Sequence, residues 1–366
     1  MPSSRSLRWA VPAVAALAVG SAVVLPSTLA SAGPPELPAR TAADLLASVA
    51  QAESTPVQGT VVQTSRLGLP ELPAGTGGGG TSPLALLTGS HTLRVWADGP
   101  ERVRLALLGE LAEYDVVRDG RDAWTYSSDD DEAVHYALPA PSADEDSAGE
   151  DSADSGGPAV PTTPQAAAEQ VLAAVEPTTV VRVDDTARVA GRDAYQLVLE
   201  PREPGSLVGS VRLALDAATS APLRVQVWST RNATDPALEV GFTDVSFDRP
   251  EASVFAFTAP PDATVREQAV PEGGASEESS QQHRTAPAGK APEVTGTGWS
   301  RVVELPVGDP QALQDGAAAG LLGSLTTAVP EGRLLSTALV NALVTDDGRV
   351  LVGAVPAERL RDAARR

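Results

Sequence analysis

From His91 to Phe247 the sequence keeps returning to one pattern, an apolar residue at every second position in short runs that end in turn residues. Successive side chains on a strand point to opposite faces, so this alternation marks half-buried strands. Leu93 and Val95 alternate before Gly99-Pro100, then come Val103, Leu105 and Leu107, then Tyr114 and Val116. Asp119-Gly120 is a hairpin signal, because glycine tolerates the positive φ of a tight turn. Trp124 and Tyr126 share a face beyond it, followed by Val134 and Tyr136. The pattern resumes at Val180, Val181 and Val183, and continues through Tyr195-Leu197-Leu199, Val211-Leu213-Leu215, Leu223-Val225-Val227 and Leu238-Val240-Phe242. With Val57, Gly59 and Val61 upstream, the alternation rule yields about eleven strands. One-sided alternation over this length requires a sheet with one buried face and one wet face. Helical stretches are too few to cover both faces of a parallel sheet. The fold class is therefore mainly β (α+β), a long antiparallel sheet that must curl or be capped.

Two helices are expected to do the capping. Thr41 to Glu53 carries Ala43, Leu45, Leu46, Val49 and Ala50 at helical spacing behind Thr41 as N-cap, and Thr163 to Val175 is the second. Residues 69–83 form a Gly-rich, Pro-bounded loop. Residues 139–161 are an acidic Ser/Ala/Asp/Gly insertion with too few apolar groups to offset ordering entropy. The large domain spans residues 33–265, and a flexible linker rich in Pro, Glu, Ser, Gln and Gly spans 266–295. A small C-terminal α+β domain occupies 296–366, with a strand at Val302–Leu305, a helix from Leu313 to Thr327, and a hairpin about Asp347-Gly348.

The N-terminus places the protein. Arg5 and Arg8 precede an apolar run from Ala10 to Leu25, and Ala30-Ser31-Ala32 is a small-residue cleavage site. Residues 1–32 thus read as a secretory signal peptide cleaved after Ala32, with an uncleaved anchor as the alternative. The expected location is extracytoplasmic, secreted or at the outer face of the cell membrane. The chain has no cysteine, so it is not a lipoprotein of the usual kind and has neither a disulfide nor a thiolate site.

Several chemistries are disfavoured. The net charge is −21, but ten of the acids fall between Asp129 and Asp154 with no Lys or Arg among them. Nucleic acid, which needs a clustered basic surface, is not an expected partner. Gly75-Thr76-Gly77-Gly78-Gly79-Gly80 satisfies a dinucleotide fingerprint on paper, but prolines flank it and no strand–turn–helix frame surrounds it. His91, His135 and His283 share no metal-ligand spacing, and no nucleophile elbow occurs. No catalytic residue, metal or cofactor is assigned, and the protein is not expected to be an enzyme. Trp96 and Trp228 fall opposite the aliphatic rows, at a surface or a partner.

Three stretches carry a family resemblance. They are Val57-Gln58-Gly59-Thr60-Val61, the run Val116 to Tyr126 through Asp119-Gly120, and Tyr195 to Val245 ending in Phe255-Ala256-Phe257. Over residues 40 to 265 the chain resembles the lipoprotein-carrier superfamily, LolA and LolB, including the N-terminal-domain type of the sigma-E regulator RseB. The single Lys290 among many arginines fits a GC-rich, actinobacterial member. The resemblance implies a curved half-barrel whose apolar face, lidded by helices, holds acyl chains of a lipid or an acylated lipoprotein. If such a cavity exists, Leu105, Trp124, Tyr126, Tyr195, Leu197, Leu213, Val225 and Val240 should line it. A filled core would give the same pattern. The alternatives are an RseB-like regulator docking through its C-terminal domain on a membrane anti-sigma factor, and a ligand-free cell-envelope structural domain.

Overall fold

The computed structural model describes residues 36–50, 55–69, 81–138, 178–269, 293–306 and 323–366. The proposed signal peptide, the acidic insertion and the second helix lie outside the described residues. The protein is mainly β; the described residues form a curved, unclosed sheet of twelve strands and a second sheet of six.

The first half of the large sheet is a meander: β1 (Val57–Arg66), β2 (Thr88–Ala97), β3 (Arg102–Leu108), β4 (Glu113–Asp119), β5 (Asp122–Ser127) and β6 (Glu132–Ala137). The second half is β7 (Thr179–Val189), β8 (Arg192–Pro201), β9 (Val208–Asp216), β10 (Pro222–Ser229) and β11 (Leu238–Ser246). Antiparallel pairing of β1 with β11 joins the halves, Val61 facing Phe242 and Gln63 facing Val240. Gly120, at φ 63°, makes the turn between β4 and β5 that the sequence announces. The twelfth strand, β12 (Thr264–Ala269), is the one the alternation does not reveal, because Val265 is the only large apolar residue in it. It adds in parallel to β6 at one end of the sheet, and β7 forms the other end.

Where β1 meets β11, a register shift follows Thr60, and Gly59 lies flat on its neighbour. A Cβ on Gly59 would run into the carbonyl oxygen of Asp244. Gly59→Ala is therefore expected to lower stability by about 1–3 kcal/mol, the usual cost of overpacking. Urea unfolding checks this, and an unchanged midpoint would contradict it.

Helix α1 (Ala42–Ala50) begins with a reciprocal cap, in which Thr41 Oγ1 accepts from Asp44 N–H and Asp44 Oδ2 accepts from Thr41 N–H. It seats Leu45, 0% exposed, among Leu197, Leu199, Leu213 and Val225, which defines the inner face of the sheet. A second cluster continues this face through Val61, Leu93, Val95, Leu107, Val240 and Phe242. A short turn over Pro83–Leu87 is tied down there, because the buried Gln63 and Ser65 side chains both donate to Leu86 O at 2.7 Å.

Over β3 to β6 the outer face is covered by a strap. After β11 the chain crosses it with a single turn at Ala252–Val254, whose carbonyl at Val254 accepts from Arg104 Nη1 at 3.4 Å. Phe255 is 1% exposed, and Phe257 lies 5.4 Å from the Trp124 ring and 6.0 Å from Tyr126. The strap then ends as β12.

The small sheet comprises β13 (Glu293–Thr295), β14 (Val302–Pro306), β15 (Thr326–Val329), β16 (Gly332–Ser336), β17 (Asn341–Thr345) and β18 (Arg349–Gly353), in the order β13-β14-β18-β17-β16-β15. Helix α2 (Ala357–Ala364) packs Leu360 against Val302, Leu343, Leu351 and Val355. Glu331 clamps this helix through Arg361 and Arg365, whose guanidinium hydrogen bonds hold its carboxyl at about 2. The hairpin about Gly348 is as expected. Of the helix expected from Leu313 to Thr327, residues 313–322 lie outside the described residues, 323–325 are helical, and Thr326–Val329 is strand. The linker expected over 266–295 is trimmed at both ends by β12 and β13.

The two sheets meet in close contact. Leu207 N–H donates to Ala354 O at 2.7 Å, and Ala338 N–H donates to Leu67 O at 2.8 Å. Ser229 Oγ donates to Ala338 O at 2.6 Å, and Trp299 Nε1 to Thr179 Oγ1 at 2.8 Å. Leu339, 7% exposed, is buried in the core of the large sheet beside residues of β8 to β10.

Candidate functional site

The inner face changes character along the sheet. From β8 to β2 it is packed shut under α1, Leu339 and the Pro83–Leu87 turn. From β3 to β6 it is only half-covered. Register places Leu105, Val116, Thr125 and Val134 in one row across these strands, with Val103 and Tyr136 on one side and Tyr114 on the other. Val116 in the middle is 37% exposed, and the others are partly buried. The result is an apolar wall continuous with the core but not closed by it.

Polar groups sit at the margins of this wall. Arg118 belongs to the same face, and its Nε donates to Gly120 O at 3.0 Å, so a cation stands at the rim beside the turn. Burial pushes the Tyr114 phenol up, against the opposing effect of a hydrogen bond with Thr125. It is therefore neutral at ordinary pH, and the wall presents no negative charge at that point. Such a surface can hold an aliphatic chain along the row, with an anionic group near Arg118.

Five residues expected to line a cavity lie on the inner face but in its packed part. Leu197, Leu213, Val225 and Val240 are buried in the core, and Tyr195 donates from its hydroxyl to Pro38 O at 2.9 Å, anchoring the segment before α1. Leu105 is on the half-open wall. Trp124 and Tyr126 are not on this face at all. The hairpin pairs Val117 with Trp124 and Asp115 with Tyr126, which sets both aromatics on the outer face under the strap. The correction is physical: alternation shows that two residues share a face, but only register across a turn shows which face. Pairing Asp119 with Asp122 about Gly120-Arg121 would have revealed it, and would have pointed to Tyr114, Val116, Val134 and Tyr136 instead.

The two tryptophans opposite the aliphatic rows are held by arginines. Arg94 and Arg104 flank the Trp96 ring at 5.1 and 5.8 Å, and Arg212 lies 4.8 Å over Trp228. Where the sheets meet there is a shallow cleft lined by Thr178, Pro201, Glu203, Thr297, Trp299 and Ser300, too slight for a sizeable ligand. Among the described residues no group of His, Asp and Glu is arranged to hold a metal ion.

No family model matches the sequence, and no curated protein is similar to it at the level of sequence. Solved structures are similar to it. One of MucB is 20% identical, covering 87% of this chain and 95% of that one with a TM-score of 0.42. The Pseudomonas aeruginosa MucA/MucB complex is 18% identical, covering 88% and 96% with a TM-score of 0.42. A LolA superfamily protein from Nitrosomonas europaea is 11% identical, covering 60% and 99% with a TM-score of 0.21. At these scores the likeness is one of general outline.

Proposed function

We propose that this protein is an extracytoplasmic carrier or sensor that holds an acyl chain, of a lipid or of an acylated protein, on the inner wall formed by β3 to β6. The observation that carries the reading is the row of Leu105, Val116 and Val134, apolar, contiguous with the core and only partly covered. Burying one methylene contributes roughly 0.8 kcal/mol, so a dozen contribute on the order of 10 kcal/mol before the entropy of binding is subtracted. No conspicuous polar pocket is needed for that.

Native mass spectrometry of the chain without residues 1–32, purified from a membrane-containing host, tests it. Adducts of lipid mass are expected on the wild type and lost in Val116→Glu. Val116 is exposed enough for that variant to keep its melting temperature. A clean apo mass after incubation with phospholipid and diacylated peptide sinks the proposal, as does an adduct indifferent to Val116→Glu.

A second reading has its own observation. The face of the small sheet turned away from α2 carries Val303, Leu305, Val344, Val350 and Val352, all at least partly exposed. That face could dock a membrane regulatory protein such as an anti-sigma factor, and it becomes the main question if no lipid binds.

A further inference from the structure

His135 lies on the outer face of β6, away from the inner wall, and both of its ring nitrogens are engaged. Nδ1 is 2.8 Å from Glu267 Oε2 and Nε2 is 3.0 Å from Asp122 Oδ1. The ring stacks on Trp124 with centroids 4.3 Å apart and planes 20° apart, and its side chain is 18% exposed. A carboxylate can only accept hydrogen bonds. A neutral imidazole carries one N–H, so it can satisfy one of these two oxygens while its bare nitrogen faces the other. Only the imidazolium donates to both.

The three partners come from three different strands. Asp122 is on β5, His135 on β6 and Glu267 on β12, the last strand of the strap. On the opposite face of the same strands, Arg266 of β12 pairs with Glu132 of β6 at 3.2 Å, and the Asp131 carbonyl accepts from Thr264 N–H at 2.7 Å. Tyr126 of β5 is a neutral phenol, and the strap itself brings the uncharged Phe257.

We propose that His135 is a proton-operated latch: charged, it fastens the strap to the sheet through Glu267, and on losing its proton it lets β12 and the aromatic cover behind it come away from the outer face. Release would expose Trp124 and Tyr126 and the unpaired edge of β6. Burial of the ring pulls its pKa down, but the hydrogen bonds and negative charges of Glu267 and Asp122 outweigh it, and the net displacement is upward. A group raised in the folded state stabilises fully below its unfolded value, about 6.5 for histidine, and ceases to do so as pH rises through the folded value. Acid therefore fastens the latch and mild alkali loosens it.

Hydrogen exchange of the full chain, read on the peptide covering residues 264–269 and normalised to intrinsic rates, tests this at pH 5.5 and 8.5. Protection is expected to fall with pH by up to about tenfold per unit of difference between the bound and released pKa values. In His135→Gln the protection should be low and flat with pH, whereas Arg266→Gln should lower it equally at both pH values. Equal wild-type protection at the two pH values overturns the proposal, and so does a pH dependence that survives in His135→Gln.

Discussion

Leu339→Ala is expected to destabilise the large sheet, although the residue belongs to the small unit by position in the chain. Its side chain belongs to the buried cluster that holds Leu199 and Val211, not to the core under α2. Removing a buried leucine costs about 2–5 kcal/mol, the spread reflecting how far the site collapses. For a chain of this size that is a fall of roughly 3–7 °C in Tm. For the same reason a chain ending at Ala269 should not reproduce the stability of the whole, since Leu67, Leu207 and Ser229 would lose their backbone partners in the small unit. Calorimetry checks both. Two independent transitions, with the upper or lower one untouched by Leu339→Ala, would show that the sheets are not coupled.

The second large effect is expected at the strap. Phe255→Ala should cost about 3–5 kcal/mol, because the ring is wholly enclosed and lies under the Arg102 guanidinium at 6.0 Å. The loss is local before it is global. Phe257 and β12 follow Phe255 along the chain, and Phe257 lies against Trp124 and Tyr126. Limited proteolysis should cut the variant between Arg249 and Ala269 under conditions where the wild type resists, with inner-face residues still protected. A variant as stable and as resistant as the wild type would mean that the strap is an ornament on the fold.

How far all this could be read in advance depends on what each signal measures. Period-two alternation reports one half-buried face, so β1 to β11 stood out and the fold class followed. It is silent on β12, whose sequence Thr-Val-Arg-Glu-Gln-Ala buries no face and is held by backbone pairing and side-chain ions. Helix α2 escaped for a similar reason, since Leu360 is its one large apolar residue among charged ones. The candidate site is less legible than the fold. Register puts Leu105 on the inner wall and Trp124 and Tyr126 on the outer face, and alternation alone does not separate the two, because aromatic residues on alternate positions look like ligand contacts whichever way they point. The burial of Leu339 in a distant core has no local signature, because its neighbours in sequence form an ordinary hairpin.

The pairing of β1 with β11 has a consequence for the order in which the chain can fold. Its two strands are separated by nearly the whole large unit, so the closing contact of the sheet is among its least local ones. Closing long loops before contacts reward them slows folding, and sheets dominated by such pairings fold slowest. During synthesis the β1–β6 meander emerges first and must wait, with the edge of β1 unpaired, until Ser246 has been made. An unpaired strand edge invites the wrong partner. Until β11 joins it, the meander is an open half-sheet, and protecting the edge of β1 is part of how this fold is reached.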